Sequence, residues 1–391
     1  MHTHNNNGQD TAPNSADVIF ALTGDPKTNS RALRQLHLLS KLNLSILVLG
    51  LGLGNSSRKG DLNIQNASLR YLPKPAGKGP RFFWRVHQLF DSVLRNVRST
   101  VYHASDLYTL PAMHRAASRH QAHLVFDSRE LYTHLPASIR RPWVGATWKT
   151  IQHLYIRRAD CVYTVSESIA QHLQKHFRLN TVHLMRNVPR PQSLVPKNSL
   201  REHLDLPSDA KIVLHQGSLQ QHRGGAAMVE AMQYTDNAVL VFMGGGPLKP
   251  EIQRRVNESK LGSKIRFMDA VPPDQLLSFT ASADIGLTFL EDCCLNHRYA
   301  LPNKLFEYLA AGIPVIASSL PEIAQIIERF DVGCVVPSGD AKALGNALDH
   351  AINNPELRQK WSRNTPHVQE FFNFATESEH FLAPYRQLVN K

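Results

Sequence analysis

The sequence predicts an α/β protein built from two doubly wound parallel-sheet domains. Its 391 residues exceed what one hydrophobic core organises, so two units of roughly 200 residues or fewer are expected. Short aliphatic or β-branched runs bounded by turn residues alternate with helical patterns along nearly the whole chain, as parallel α/β layers require. That alternation stops once, at 187–199 (NVPRPQSLVPKNS), where three prolines and no periodicity mark a linker, and then restarts.

Taken in order, 1–16 is polar and Asn-rich, with no apolar core for a secretory signal, and is expected to be a disordered tail. Strands are expected at 17–21, 45–51, 100–104, 124–128, 161–165 and 181–185, with helices between, giving a first domain over 17–187. After the linker at 188–199, strands are expected at 211–215, 238–243, 264–268, 285–289, 315–317 and 333–336, giving a second domain over 200–370. The remainder, 371–391, is expected to be a helix returning to the first domain. Two such domains leave a cleft between the carboxyl ends of their sheets, where a ligand would lie.

Composition narrows the class. With 42% apolar and 19% charged residues the chain can bury a sizeable core and is not disordered. Its longest apolar stretch, 42–54, is interrupted by Asn43 and Ser45 and falls short of the roughly 20 residues that cross a bilayer, so no transmembrane helix is expected. Cys161, Cys293, Cys294 and Cys334 form no disulfide framework and no CxxC or HExxH pattern, which suits a reducing, cytoplasmic location. The formal charge of +12 favours an anionic partner: small-molecule phosphates, lipid headgroups or nucleic acid.

Candidate phosphate loops are judged by what flanks them. The glycines at 50, 52 and 54 lack the third glycine at dinucleotide spacing, and the following NSSRKGD reads as loop, so they are read as a flexible strand exit. Segment 217–225 (GSLQQHRGG) follows a strand and leads into a helix, which puts Arg223 either at an anion-binding helix start or on the surface without a partner. Gly244, Gly245 and Gly246 after the next strand allow close backbone approach or simply make a tight turn. In 301–318 (LPNKLFEYLAAGIPVIAS), Pro302 suits a first helical turn, Gly312 a C-cap, and Pro314 a stop. Asn303 and Lys304 then stand where a diphosphate would meet free backbone donors, and Glu307, one turn on, can accept from a ribose diol; an ordinary amphipathic helix is the alternative.

The order and spacing of HQGSLQQHRGG, MGGGPL, IRFMDAVPPDQL, ASADIGLTFLED and LPNKLFEYLAAGIPVIASSLPEI in the second domain are similar to the retaining, nucleotide-sugar-dependent glycosyltransferases of family 4, with the GT-B fold of two facing Rossmann-like domains. In the first domain DPKTNSRALRQLHLLSK, VYHASDLYTLP, VFDSRELYTHLP and RRADCVYTVSESIAQHL resemble the same family. The resemblance implies that Arg223 and Lys304 hold the donor diphosphate. It further implies that Asn303, Gly217 and Gly244 to Gly246 line the pyrophosphate and sugar, that Glu307 binds the ribose, and that Ala270 and Val271 meet the base through backbone groups. Gly24, with Asp25 beside it, would approach the donor from the first domain, and Asp106, Arg129 and Glu130 would face the acceptor. Four positions depart from the family pattern. Tyr299 replaces the first of two glutamates, Ser105 and Arg129 stand where many relatives carry histidine, and Ser218 replaces an arginine. Arg223 and Lys304 are left as the main cationic contacts.

A sugar transferase must stabilise the charge that builds on a departing diphosphate. The sequence has no DxD motif, so no cofactor and no metal are expected, with two cations and helix dipoles acting instead. By resemblance the reaction retains configuration, a donor phosphate oxygen helping to take the acceptor proton. In helix 81–97, Phe82, Val86, Leu89, Phe90, Val93 and Val97 form one arc and Trp84 lies outside it, near Arg81. With Lys74, Lys78 and Arg81, Trp84 either docks on an anionic membrane presenting a glycan or lipid-linked acceptor, or packs on a loop. Arg140, Arg141, Trp143, Trp148, Arg157 and Arg158 are read as core aromatics and helix-end charges. Two competitors remain: a sugar-nucleotide epimerase, for which no convincing ionisable pair is present, and a nucleic-acid-binding protein, for which no recognition helix or aromatic platform is present.

Overall fold

The computed structural model describes residues 15–52, 58–77, 79–192 and 199–389. The first sheet contains β1 (Ser15–Ala21), β2 (Ile46–Gly52), β3 (Arg58–Gly60), β4 (Ala67–Pro73), β5 (Arg98–Ala104), β6 (His123–Asp127), β7 (Cys161–Thr164) and β8 (His183–Leu184). The second contains β9 (Lys211–Gln216), β10 (Ala238–Met243), β11 (Ile265–Met268), β12 (Ile285–Thr288), β13 (Val315–Ser318) and β14 (Gly333–Val336). Their orders are β3-β4-β2-β1-β5-β6-β7-β8 and β11-β10-β9-β12-β13-β14, all neighbours being parallel except β3 and β4.

Parallel strands covered on both faces need side chains that are apolar throughout, which is why ILVLGL in β2 and AVLVFM in β10 are almost wholly buried. Helices supply the cover. One face of the first sheet packs Val86, Phe90 and Leu94 of helix Gly79–Leu94, and Met113 and Ala116 of helix Leu110–His120. Its other face packs Leu36 and Leu39 of helix Ser30–Ser40 together with Phe381, Leu382, Tyr385 and Leu388 of helix Phe374–Val389. The chain's last helix thus lies on its first sheet. The Tyr163 hydroxyl donates to the Phe381 carbonyl at 2.7 Å, and the Tyr385 hydroxyl meets His103 Nδ1. Burial lowers the His103 pKa to about 3, so this imidazole is neutral and can accept from the tyrosine.

In each sheet the chain winds outward on one side of a central strand and then crosses to the other. The crossovers fall between β1 and β5 and between β9 and β12. Loops diverge at such switch points, and here both open onto one cleft.

Several expected boundaries change. Ser15 and Ala16 belong to β1, paired with Arg98 and Ser99, while 1–14 of the expected tail lie outside the described residues. Half of the linker, 193–198, lies outside them as well, as does Lys78. The expected loop after residue 54 contains β3, and β4 was not expected at all, because ASLRYLP, next to the edge strand β3, keeps Ser68, Arg70 and Tyr71 partly in solvent and lacks a continuous apolar run. β8 is reduced to two residues. The helix expected over 81–97 is Gly79–Leu94, with Val97 buried beyond its end. Pro302 caps helix Asn303–Ala310 from outside its first turn, and Gly312, at φ 77°, follows the Ala311 C-cap. Trp148 is buried as expected, whereas Trp143 is 53% exposed.

Replacing Phe381 with alanine should remove the centre of the docking face of the last helix and cost about 3–5 kcal/mol. Chemical denaturation followed through the first domain's transition tests this. An unchanged midpoint would mean that the helix does not anchor that sheet.

Candidate active site

The cleft between the two sheets is a cavity of about 1260 Å³. Its second-domain wall follows the carboxyl ends of four neighbouring strands: Gln216 to Ser218 after β9, Gly244 and Gly245 after β10, Ala270 and Val271 after β11, and Leu290 after β12. Two glycines make the first turns possible. A Cβ on Gly244, at φ 139°, would stand 2.4 Å from the Gly217 carbonyl oxygen, and Gly217 is itself at φ 108°. Gly246 serves the turn rather than the cavity. It does not line the cleft, and a Cβ there would meet the Leu219 carbonyl at 2.4 Å.

Helix Asn303–Ala310 brings Asn303, Lys304 and Glu307 to the same wall. Lys304 is 8% exposed, and its Nζ lies 3.3 Å from His215 Nε2. His215 Nδ1 faces the Leu287 carbonyl at 3.3 Å; with its proton on that nitrogen, the neutral ring presents a lone pair to the ammonium. Burial and then the nearby Arg223 lower the Lys304 pKa to about 7. His215 is pushed well below its ordinary value by burial and by Lys304. Among the described residues the Arg223 side chain has no hydrogen bond or ion pair, and it lines the cleft. Two cations thus face the cavity, with Glu307 as the opposing charge that acts on Lys304.

Glu307 stands one turn further along the same helix. Gln216 Nε2 donates to its Oε2 at 2.6 Å, and Thr280 Oγ1 donates to Gln216 Oε1 at 2.8 Å. Burial raises the Glu307 pKa, while the Gln216 bond, Arg34 and Lys304 oppose that rise. Behind it, Tyr308 donates to the Leu214 or Leu287 carbonyl, at 3.0 and 3.1 Å, and accepts from the Gln216 amide at 3.1 Å. Gly286 gives the ring its space, since a Cβ there would fall 2.3 Å from it.

The first-domain wall includes Thr23, Asn29, Ser30, Asp106, Tyr108, Arg129, Glu130 and Tyr132. Gly24 does not line the cavity; its carbonyl accepts from Leu51 N, and Thr23 beside it takes the cleft position. Asp106 borders the cleft, but its carboxylate accepts from Thr23 N at 2.7 Å, Thr23 Oγ1 at 2.9 Å and Thr109 N at 3.0 Å. It therefore positions the loop after β1 more than it offers a free carboxylate. Arg129 and Glu130 both line the cavity.

Direct bonds join the two walls. Asn303 Nδ2 donates to Ser30 Oγ at 3.2 Å, Asn296 Oδ1 accepts from Leu131 N at 2.7 Å, and the Tyr299 carbonyl accepts from Ser166 Oγ at 2.8 Å. Tyr299, standing where the family pattern has a glutamate, packs against the first-domain core. Sequence reasoning missed the polar support of this junction. Arg31 forms a two-point pair with buried Asp127, both contacts at 2.7 Å, and Arg34 donates to Asn187 Oδ1 at 2.9 Å. Burial opposes the Asp127 charge, but Arg31 wins and holds its pKa below the usual carboxylate range. The available signal was Arg31, Arg34 and Gln35, polar residues spaced to share one buried side of helix Ser30–Ser40.

Residues 28–187 match a glycosyl transferase 4-like domain and residues 196–368 match the glycosyl transferases group 1 domain. The chain belongs to the group 1 glycosyltransferases. A lipopolysaccharide core biosynthesis glycosyltransferase, LpsE of Rhizobium meliloti (strain 1021), is 21% identical over 206 residues, 53% of this chain and 58% of the relative. A phosphatidyl-myo-inositol mannosyltransferase of Mycobacterium leprae (strain TN) is 30% identical over 168 residues, 40% of this chain and 41% of the relative. The chain spans about half the length of the curated relatives it matches. Among solved structures, sucrose-phosphate synthase from Thermosynechococcus elongatus superposes with a TM-score of 0.78 at 18% identity, covering 95% of this chain and 99% of that one. Anabaena Alr3699/HepE in complex with UDP-glucose gives a TM-score of 0.74 at 13% identity, covering 95% and 100%. These likenesses show that this group 1 glycosyltransferase has the GT-B fold.

Exchanging Lys304 for methionine should stabilise the fold by about 1–2 kcal/mol at pH 7, because it removes an ammonium that burial disfavours. The unfolded lysine holds its proton up to about pH 10.4, whereas the folded one begins to lose it near pH 7. The wild-type penalty is therefore full below pH 7 and fades as pH rises, and the gap between the proteins should close by pH 10.5. Unfolding curves measured across that range test it; a constant gap would contradict the buried-charge account.

Proposed function

We propose that this group 1 glycosyltransferase moves a sugar from a nucleoside diphosphate sugar to a glycan, polysaccharide or lipid-linked acceptor, with retention and without a metal at the diphosphate. The convergence of Arg223 and the buried Lys304 on one cleft wall is the observation that carries this reading. Breaking the anomeric C–O bond leaves negative charge on the diphosphate, and preorganised cations in a low-dielectric cleft stabilise that charge most strongly. A bound diphosphate would supply the missing counter-charge and hold the proton on Lys304. The absence of a DxD motif and the presence of two cations support departure without a metal.

Glu307, held by Gln216, would accept from the ribose diol, while the backbone at Ala270 and Val271 would meet the base. Gly217, Gly244 and Gly245 let the phosphates and sugar approach the chain closely. The acceptor would enter along the wall of Arg129 and Glu130, with Asp106 shaping the adjoining loop. Attack would come from the face that the diphosphate leaves, a donor phosphate oxygen taking the acceptor proton. The GT-B neighbour solved with UDP-glucose and the lipopolysaccharide-core relative support this choice of donor and acceptor class.

No helix among the described residues is long and apolar enough to cross a membrane. Trp84 is 58% exposed, and Lys74 and Arg81, ten and three residues before it, are exposed as well. This combination supports peripheral docking on the cytoplasmic face of an anionic membrane, where a lipid-linked acceptor would be presented.

A thermal-shift panel of UDP, GDP, ADP and their sugars should single out one base, since a ligand bound only by the native state stabilises it by about 2.7 kcal/mol at a hundredfold excess over Kd. With the identified donor, Arg223→Ala and Lys304→Ala should each lose most transfer while remaining folded, and chelator should leave wild-type turnover unchanged. Wild-type turnover in either variant would remove this site assignment, and chelator inhibition restored by Mg2+ or Mn2+ but not by Zn2+ would refute departure without a metal. In flotation with anionic vesicles, Trp84→Ser should reduce the bound fraction; equal binding would exclude that helix from docking.

A further inference from the structure

Between β12 and helix Asn303–Ala310 the chain reads EDCCLNHRYALP, and its short helix Leu295–Arg298 folds three soft or borderline donors onto one spot. The ligand atoms of Cys293, Cys294 and His297 all lie within 4.8 Å of one another, the one such grouping among the described residues. Cys293 Sγ is 3.5 Å from His297 Nδ1. A tetrahedral zinc ion with Zn–S of about 2.3 Å and Zn–N of about 2.0–2.1 Å separates its sulfur and nitrogen ligands by about 3.5 Å. The two side chains therefore already stand at a ligand-to-ligand distance. Cys294 is held on the same side as the N-cap of the short helix, its Sγ accepting from His297 N at 3.4 Å, and a thiolate would accept that bond more strongly.

We propose that Cys293, Cys294 and His297 form a binding site for Zn2+ at the rim of the cleft. Two thiolates and an imidazole are a donor set that selects zinc over magnesium or calcium. On binding, both thiols release their protons to solvent. The imidazole ligates through Nδ1, moves its proton to Nε2, and gives up its 3.0 Å contact with the Glu291 carbonyl. Three protein ligands leave a fourth position for water. His297 lines the cleft, and Asn296, its neighbour in the chain, bonds to Leu131 of the first domain. Zinc thus ties together the strap that joins the two walls just before helix Asn303–Ala310. This ion is separate from the diphosphate contacts proposed for Arg223 and Lys304, and it does not depend on that reading.

The test uses the whole protein, freed of metal by chelator and kept reduced by a phosphine, with no sugar nucleotide present. Titration with Zn2+ should give one equivalent bound and a raised melting temperature, and Co2+ should give thiolate-to-metal charge-transfer absorption. The double variant Cys293→Ser, Cys294→Ser should lose that absorption, and each of this variant and His297→Ala should weaken Zn2+ binding at least tenfold. Cys334→Ser should leave binding unchanged. Melting curves without metal identify any variant that fails to fold, and His297→Ala keeps both thiols in place as an independent check. No stoichiometric Zn2+ binding by the wild type, or equal binding by the folded variants, overturns the proposal. Because no donor is present, neither result bears on the transferase reading.

Discussion

A buried positive charge that Glu307 only partly offsets is the constraint around which the cleft side of the second domain is arranged. Lys304 is placed at the start of a helix, beneath the glycine turn at Gly217, beside a histidine kept neutral and within the field of Arg223. A cation in such a place is expensive when its partner is absent, because low-dielectric surroundings penalise the charged form. The protein tolerates the cost because Nζ retains one acceptor, His215 Nε2, and because the cleft is open to water. The surrounding residues are ordered to keep that arrangement: Gly217 and Gly244 clear the space, and Tyr308 and Gln216 hold the strand end and Glu307 in register.

The second requirement is that the opposite wall stand at the right place. A sheet switch point only provides a crevice, and two crevices must face each other for a two-substrate reaction to be enclosed. Here the facing is set by the last helix returning to the first sheet through Phe381 and Tyr385, by the Arg186–Glu377 pair at 3.0 Å, and by bonds such as Asn303 to Ser30. Tyr299 contributes apolar contact and a carbonyl acceptor, where a glutamate would have brought another charge toward the cleft.

Much of the site was legible in the sequence because its turns are punctuated. A glycine that must adopt positive φ, a proline before a helix and a lysine two residues later are local signals, and together with the family resemblance they pointed to Gly217, Gly244, Arg223, Lys304 and Glu307, all of which line the cleft. The support around them was not legible. Nothing in the local pattern at Arg31 or Asp127 shows that they meet across 96 residues, nor that Asp106 spends its oxygens on Thr23 and Thr109. The adjacent cysteines were passed over because they match no familiar metal spacing, and only the short helix bends His297 back onto them.

By itself the sequence determined the alternation of apolar runs and helices, the division by a proline-rich stretch and the positions of the phosphate-type turns, since each depends on residues within a few places of one another. The tertiary structure alone decided which charges are buried, which carboxylates are already engaged, that Gly24 and Gly246 serve turns and not the cavity, and that β4 pairs between β2 and β3. Desolvation and pairing depend on what lies across the fold, and a half-exposed strand near the sheet edge is held by its neighbours rather than by its own hydrophobic pattern.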